Sequence, residues 1–509
     1  MAESDLSALV DVSKLTLHDR KSTEEEEAKN TTTSCTNNNN NDYKTVKCNA
    51  GEVEKVGYMS RDVAPEQKNE ILSSEEKQFP CSGGLDVTTA DIPETIVKNF
   101  VNDHLEKIVV EKYSSTTGLV YDARMQRYCA TGYHPERPNR IRSMWERLLN
   151  EGLVDACAIV EPRFATDGEL LTKHTQQHIS FVHSVKDVTD QDKLDELAED
   201  YNSIYFHPAV TDAALLAAGC TIALMEDILS GHLVNGAAII RPPGHHALTH
   251  CSMGFCHFNN VAVAAQVAID KFRLQRVLIV DWDVHYGNGT HKMFETDPRV
   301  MLFSMHRYDN GGFWPHDSEA NYTAVGKERG EGYNIHVAWN ESMMGDPEYM
   351  LAFDKLLMPI ARQYNPELVI VSCGFDSGSG DPLGGCDVKP EGYANMTQRL
   401  MELAGGRVML VLEGGYNLET ISSSMAACVS TMLKRPVPRI AKGECKKSGV
   451  ESVHNTFITM QKYWSALKDP KLVKYMDELL KKVSIVEKKH TRSSGSSPGE
   501  KRTTRSSIS

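Results

Sequence analysis

The chain has 509 residues, 40% of them hydrophobic and 24% charged, and a formal net charge of −14. That acidic balance argues against nucleic acid as a main partner, because duplex binding draws on clustered positive charge, but it leaves basic peptides open. No apolar run of about 20 residues predicts a membrane span, no secretory signal is read in residues 1–20, and the 12 cysteines show no paired C-x-x-C spacing, so reduced thiols in the cytosol or nucleus are expected.

Residues 1–115 are rich in Ser, Thr, Asn, Glu and Lys and include the runs Glu24–Glu27 and Asn37–Asn41. They bury too little apolar area to offset chain entropy and are expected to be unstructured, apart from an amphipathic stretch over Ala90–Lys112 able to form one helix. Order is expected from 116 to 440. Thr117–Asp122 reads as a strand and turn, and the loop from His134 enters a helix through about Glu151. Ala165–His183 and Thr211–Ser230 show helical periodicity. Ala237–Ile240 is a strand, Val261–Phe272 a helix, and strands recur at Val277–Val280, Val300–Ser304 and Tyr333–Val337. Pro347–Tyr364 is a helix, Leu368–Ser372 a strand, Pro390–Leu403 a helix, Val408–Leu412 the last strand and Leu418–Leu433 a helix. Strands alternating with helices predict an α/β domain, a parallel central sheet covered on both faces. Residues 441–480 are expected as a helical extension, with a helix in Val450–Leu467. Residues 481–509 are expected as an unstructured basic tail, readable as a nuclear-import sequence or as plain solvated charge.

The strand ends carry the chemistry. Val277–Val280 is followed by Asp281, Asp283 and His285, which alternate and so face one way. Leu368–Ser372 leads to Asp376, Val408–Leu412 to Glu413-Gly414-Gly415-Tyr416, and Ala237–Ile240 to Arg241-Pro242-Pro243-Gly244-His245-His246. One Asp after a strand is usually a helix cap; four convergent strand ends are not explained that way, since ligands bind beyond the carboxyl ends of such sheets. The expected centre is Zn²⁺ on Asp283, His285 and Asp376 with an open position for water; Mn²⁺ or Fe²⁺ suit the same donors. Hydrolysis of an amide needs a base and an acid, here His245 and His246, one held cationic by Asp281 and the other oriented by Asn288 without added charge. Their division of labour stays open. Tyr416 is the candidate oxyanion donor. Phe255, Phe313 and Trp314 either wall a tunnel for an alkyl chain or pack in the core.

These motifs resemble the zinc-dependent histone deacetylases of the arginase/deacetylase fold over roughly Thr117–Leu433. Ser203-Ile204-Tyr205, Gly254-Phe255-Cys256, Asn288-Gly289-Thr290, His306-Arg307-Tyr308 and Gly380-Asp381-Pro382-Leu383-Gly384-Gly385 resemble class IIb, most of all the second catalytic domain of histone deacetylase 6. The resemblance implies the zinc ligands, proton-transfer pair and oxyanion donor named above. It implies that Phe255 and Trp314, with Gly254 beside them, sandwich the acyl-lysine stem, and that Ser203 hydrogen-bonds the substrate backbone. It also implies structural K⁺ at Asp281, Asp283, His285, Ser304 and Met305, and again near Phe294, Asp297, Val300 and Tyr333. Leu383 stands where a polyamine-deacetylating relative has an acid, which favours acetylated proteins such as tubulin or histones. Corepressor or cytoskeletal partners are compatible with that, and no nucleic-acid or membrane partner is implied. Tyr286 replaces a usual His, and Trp314 a Phe. No second copy of the motifs and no Cys/His-rich finger is seen, so ubiquitin binding is not expected. The competing expectations are an amidohydrolase for a small acetylated amine and an inactive acetyl-lysine-binding scaffold.

Overall fold

A computed structural model describes residues 115–494, with side chains to residue 485. The expected unstructured leader, the Ala90–Lys112 helix and the end of the basic tail fall outside those residues. The core is one eight-stranded, all-parallel sheet in the order β2-β1-β3-β8-β7-β4-β5-β6. Its strands are β1 (Thr117–Tyr121), β2 (Ala158–Ile159), β3 (Asn235–Ile239), β4 (Val277–Asp281), β5 (Val300–Arg307), β6 (Asn334–Trp339), β7 (Leu368–Cys373) and β8 (Val408–Leu412). The middle strands β3, β4, β7 and β8 are buried at every position. Their near-continuous Val, Ile, Leu and Ala runs are what a strand covered on both faces requires. Val210–Leu229 packs on Asn260–Phe272 in one helical group, and Leu418–Met432 packs on Pro390–Leu400 and Asn139–Asn150 in another.

Where the sequence reading and the structure differ, local caps and weak signals account for it. Ala165–His183 is not one helix. Thr166 and Thr175 each accept a backbone N–H, from Glu169 and His178, so two helices start there, Asp167–Leu170 and Gln176–Val185. The edge strand β2 is two residues long, too short for any period. Helices Gln191–Glu199 and Asn288–Phe294 add to the expected set. The extension forms Lys447–Met460 and then a separate 3₁₀ turn, Ser465–Lys468, in place of one helix to Leu467. The boundary placed at Lys481 is also corrected. A helix runs Pro470–Ser494 through it, because Leu472, Met476, Leu479, Leu480 and Val483 recur at helical spacing and pack on the core. Among the described residues no helix is long and apolar enough to cross a membrane.

Candidate active site and metal centre

The chain lays β1 and β3 on one half of the sheet, crosses to β4, builds outward through β5 to β6, and then returns to insert β7 and β8 between β4 and β3. Such a reversal leaves a crevice beyond the carboxyl ends of the central strands. The loops that carry His245 and His246, Asp283 and His285, and Gly414 and Tyr416 line a pocket there.

Asp281 is the last residue of β4, and the turn after it carries Asp283 and His285. Asp376 lies three residues beyond β7. The ligand atoms of Asp283, His285 and Asp376 all lie within 4.8 Å of one another. His285 Nδ1 is 3.1 Å from Asp283 Oδ1 and 3.2 Å from Asp376 Oδ2. Backbone donors hold the carboxylates: Gly414 N–H to Asp283 at 2.9 Å and Val284 N–H to Asp376 at 2.8 Å. Gly414 is required by this closeness, because a Cβ there would sit 2.2 Å from Asp376 Oδ2. Burial, then the charge of Asp283, pushes the Asp376 carboxyl up to about 7. Burial likewise opposes charge on Asp283, but the cationic imidazoles of His245 and His285 outweigh it and hold Asp283 well below the usual range.

The ion-pair partners of these two buried carboxylates are imidazoles. A second group with metal-ligand spacing, His291, Glu295 and Glu319, differs, since Lys327 and Lys292 already pair with its carboxylates. The Asp283–His285–Asp376 trio is therefore a compact, negatively biased N/O donor set that fits a divalent cation such as zinc. A metal-binding His285 must be neutral, yet Asp283 and Asp376 overcome burial and hold its pKa at about 9. Zinc uptake is thus expected to release protons and to strengthen from pH 6 to pH 9. Competition against a chromophoric chelator across that range checks it, and a flat affinity would contradict the arrangement.

His245 and His246 lie with ring centroids 3.9 Å apart but in opposite electrostatic settings. His245 Nδ1 is 2.9 Å from Asp281 Oδ2. Burial works against its charge, yet Asp283, Asp281 and Glu413 hold it well above the ordinary imidazole value. His246 Nδ1 faces Asn288 Oδ1 at 2.8 Å; burial, then the charges of His245 and His285, hold it well below. An amide oxygen accepts, so Nδ1 of His246 carries the hydrogen and Nε2 keeps its lone pair. The sequence left the roles of the pair open; the surroundings make His245 the cation and His246 the neutral acceptor.

Tyr416 follows β8 and is 8% exposed. Its backbone N–H donates to Asp381 Oδ2 at 2.7 Å. Beneath it the buried Arg140 donates from Nε to the Gly415 carbonyl at 2.6 Å and from Nη2 to the Glu413 carbonyl. Arg140 also pairs with Glu136 at 3.3 Å. Glu136 in turn takes two 2.7 Å hydrogen bonds from the buried Arg241. Burial alone would neutralise Glu136, but Arg241 and then Arg140 keep its pKa at about 2.

Above the trio opens a pocket of about 260 Å³, lined among others by Ser203, Gly254, Phe255, Phe313, Trp314 and Leu383. The aromatics therefore wall a cavity. Trp314 stands edge-on to His246 with centroids 4.6 Å apart, and Phe313 stacks on His285 at 5.3 Å. Phe255 lies 6.1 Å from the Tyr416 ring, perpendicular to it. Gly254 has φ +56°, and a Cβ there would meet His246 and Trp314 at 2.6 Å. Gly254→Ala is therefore expected to lower kcat/KM by roughly tenfold or more, from backbone strain and a displaced Trp314; steady-state kinetics beside a melting curve checks it.

The histone deacetylase domain family matches residues 134–432 of this chain. The chain belongs to the histone deacetylase family. Histone deacetylase 5 of Arabidopsis thaliana is 42% identical over 361 residues, covering 69% of this chain and 54% of that protein. Polyamine deacetylase HDAC10 of Danio rerio is 41% identical over 360 residues, covering 70% and 53%. A crystal structure of the HDA15 HD domain superposes with a TM-score of 0.64 at 37% identity, covering 72% of this chain and 99% of that one. The chain spans about half the length of the curated relatives it matches, and its sheet is that of the arginase/deacetylase fold.

The structure brings Ser203, His245, His246, Gly254, Phe255, Asp283, His285, Trp314, Leu383 and Tyr416 to one pocket, with Asp281, Asn288 and Asp376 bonded directly to His245, His246 and His285. Tyr286 lies elsewhere. Its ring is buried among His291, His306 and His336, 5.2–5.7 Å away, and it does not line the pocket, so the His-to-Tyr change leaves the cavity alone. Sequence reasoning missed roles for Glu136, Arg140, Arg241, Glu413 and Asp381. Their signal was charge inside otherwise apolar or Gly/Pro-rich motifs. Glu413 Oε2 accepts from the backbone of Gly244 at 2.6 Å and His245 at 3.0 Å, tying the histidine loop to β8.

Proposed function

We propose that this deacetylase is a class IIb-type, zinc-dependent protein lysine deacetylase that hydrolyses N6-acetyl-lysine on proteins such as tubulin or histones to lysine and acetate. The observation that carries it is the Asp283–His285–Asp376 trio, its two carboxylates buried, with Asp283 and His285 lining an aromatic-walled pocket that the uncharged Leu383 also lines. Bound there, zinc supplies a Lewis acid that polarises the amide carbonyl and acidifies a water. The other groups handle protons and position. Phe255 and Trp314 flank the alkyl stem, and Ser203 meets the substrate backbone. His246 takes the water's proton at Nε2 and delivers it to the lysine nitrogen as the amide C–N bond breaks. His245 stays an imidazolium against Asp281, and the Tyr416 hydroxyl donates to the oxyanion. Potassium beside Asp281, Asp283, His285, Ser304 and Met305, and near Phe294, Asp297, Val300 and Tyr333, is part of the same proposal; Ser304 and Asp281 are paired in register. Cytoplasm or nucleus is the proposed location, with corepressor or cytoskeletal proteins as proposed partners.

A second reading, hydrolysis of an acetylated polyamine, draws on the name of the Danio rerio relative. Leu383 speaks against it, since a leucine offers no charge to a distant ammonium. Acetate release from acetylated tubulin and histone peptides, compared with acetylspermidine and with and without a hydroxamate chelator, decides between them. Leu383→Glu is expected to raise kcat/KM for acetylspermidine by about tenfold, the worth of one partly exposed charge-assisted contact; preference of the unaltered protein for acetylspermidine would overturn the protein-substrate reading.

A further inference from the structure

We propose that Asn202 is a positioning residue that ties together two walls of the pocket mouth and sets which way the Ser203 hydroxyl points. This rests on the deacetylase reading of the site. Asn202 Oδ1 is 3.3 Å from Trp314 Nε1 and 3.1 Å from Ser203 Oγ. An indole nitrogen only donates, so the Asn202 atom facing it is the amide oxygen. The Ser203 hydroxyl, facing that same oxygen, must donate to it as well. Its lone pairs are left for the mouth of the pocket, where it can accept an N–H but has no hydrogen to offer a carbonyl.

The main chain makes the tie rigid on one side. Gly254 N–H donates to the Asn202 carbonyl at 3.0 Å, and Phe255 N–H to the Ser203 carbonyl at 2.8 Å. Ser203, Gly254 and Phe255 all have positive φ, at 55°, 56° and 67°. The segments 202–203 and 254–255 thus form one strained, doubly bonded edge of the mouth. Trp314 belongs to a separate segment more than 50 residues further along the chain. Its indole N–H joins it to this edge through Asn202. The same tie holds the indole edge-on to His246, so the width of the pocket and the acceptor at its rim are set by one side chain. A phenylalanine at position 314 could not make the bond.

Because Asn202 and Ser203 are exposed, water competes and the effect is modest. Asn202→Ala is expected to raise KM for an acetyl-lysine peptide about fivefold while kcat changes less than about twofold. The rise is smaller for an N-acetylated alkylamine of lysine side-chain length, which reaches Trp314 but presents no backbone N–H to Ser203. Asn202→Asp restores KM, because a carboxylate oxygen accepts both bonds. Asn202→Ala added to Trp314→Phe costs less than the two single changes summed, since both remove one bond. Independently of turnover, exchange of the Trp314 indole N–H, followed by ¹⁵N NMR, is expected to quicken in Asn202→Ala and not in Asn202→Asp. An unchanged KM and exchange rate in Asn202→Ala, an additive double variant, or failure of Asn202→Asp to rescue would each overturn the tie. A wild-type protein without turnover of any acetylated substrate defeats the deacetylase reading instead, and the exchange measurement still judges Asn202.

Discussion

Tyr416→Phe is expected to keep its metal and lose at least ~100-fold in kcat, the effect of removing one preorganised oxyanion donor from a water-poor site. The change deletes one oxygen. Everything that aims the ring remains: the Asp381 bond to its backbone N–H, the Arg140 clamp on the Gly415 and Glu413 carbonyls, and the perpendicular contact with Phe255. KM for an acetyl-lysine peptide should therefore move little, and the melting temperature should stay near that of the unaltered protein. Metal analysis beside steady-state kinetics separates the outcomes. Near-normal turnover with metal retained would remove Tyr416 from the mechanism.

The second large effect is expected at Asp376, and it splits function from stability. If Asp376 is a ligand of the proposed zinc, Asp376→Asn removes an anionic donor, and zinc content and turnover should both fall to background. The metal-free fold should respond in the opposite sense. Burial and the neighbouring Asp283 raise the Asp376 carboxyl to about 7 in the folded chain, above its value in an unfolded one. The folded state thus holds a proton that the unfolded state releases, and between about pH 4 and pH 7 the contribution of Asp376 to metal-free stability falls as pH rises. An asparagine has no proton to lose. Metal-stripped Asp376→Asn should thus be the more stable protein at pH 8 and lack the Asp376 contribution to the slope, leaving that of Glu413, which burial also raises to about 7. Urea unfolding of both stripped proteins at pH 5 and pH 8 tests this; a variant less stable than the parent at pH 8 would contradict the electrostatics described for the trio.

The central strands were legible because a strand buried on both faces has to be written as an unbroken apolar run, as in Val277–Val280 and Val408–Leu412. The donor trio was legible because each member follows such a run at a turn. Two kinds of feature were not. Short or cap-governed elements, β2 and the paired helices after Thr166 and Thr175, carry too few residues for a period to show. Supporting contacts such as Arg140 to the Gly415 carbonyl span 275 positions, and no local pattern announces a partner so distant. The histidine pair was found, but its division of labour was not, because it depends on how close Asp281, Asp283 and Glu413 approach His245 in space.

The insertion of β7 and β8 into the middle of the sheet has a consequence for biosynthesis. The two strands that bridge the halves are the last core strands to leave the ribosome, and they deliver Asp376, Gly414 and Tyr416. A nascent chain can pair β1 with β3 and β4 with β5 early, yet it has no complete donor trio until Asp376, beyond β7, has emerged. Pairings between such distant segments are slow to close, so the Asp283–His285–Asp376 trio is expected to be among the last parts of the fold to assemble, after the two half-sheets have begun to pair.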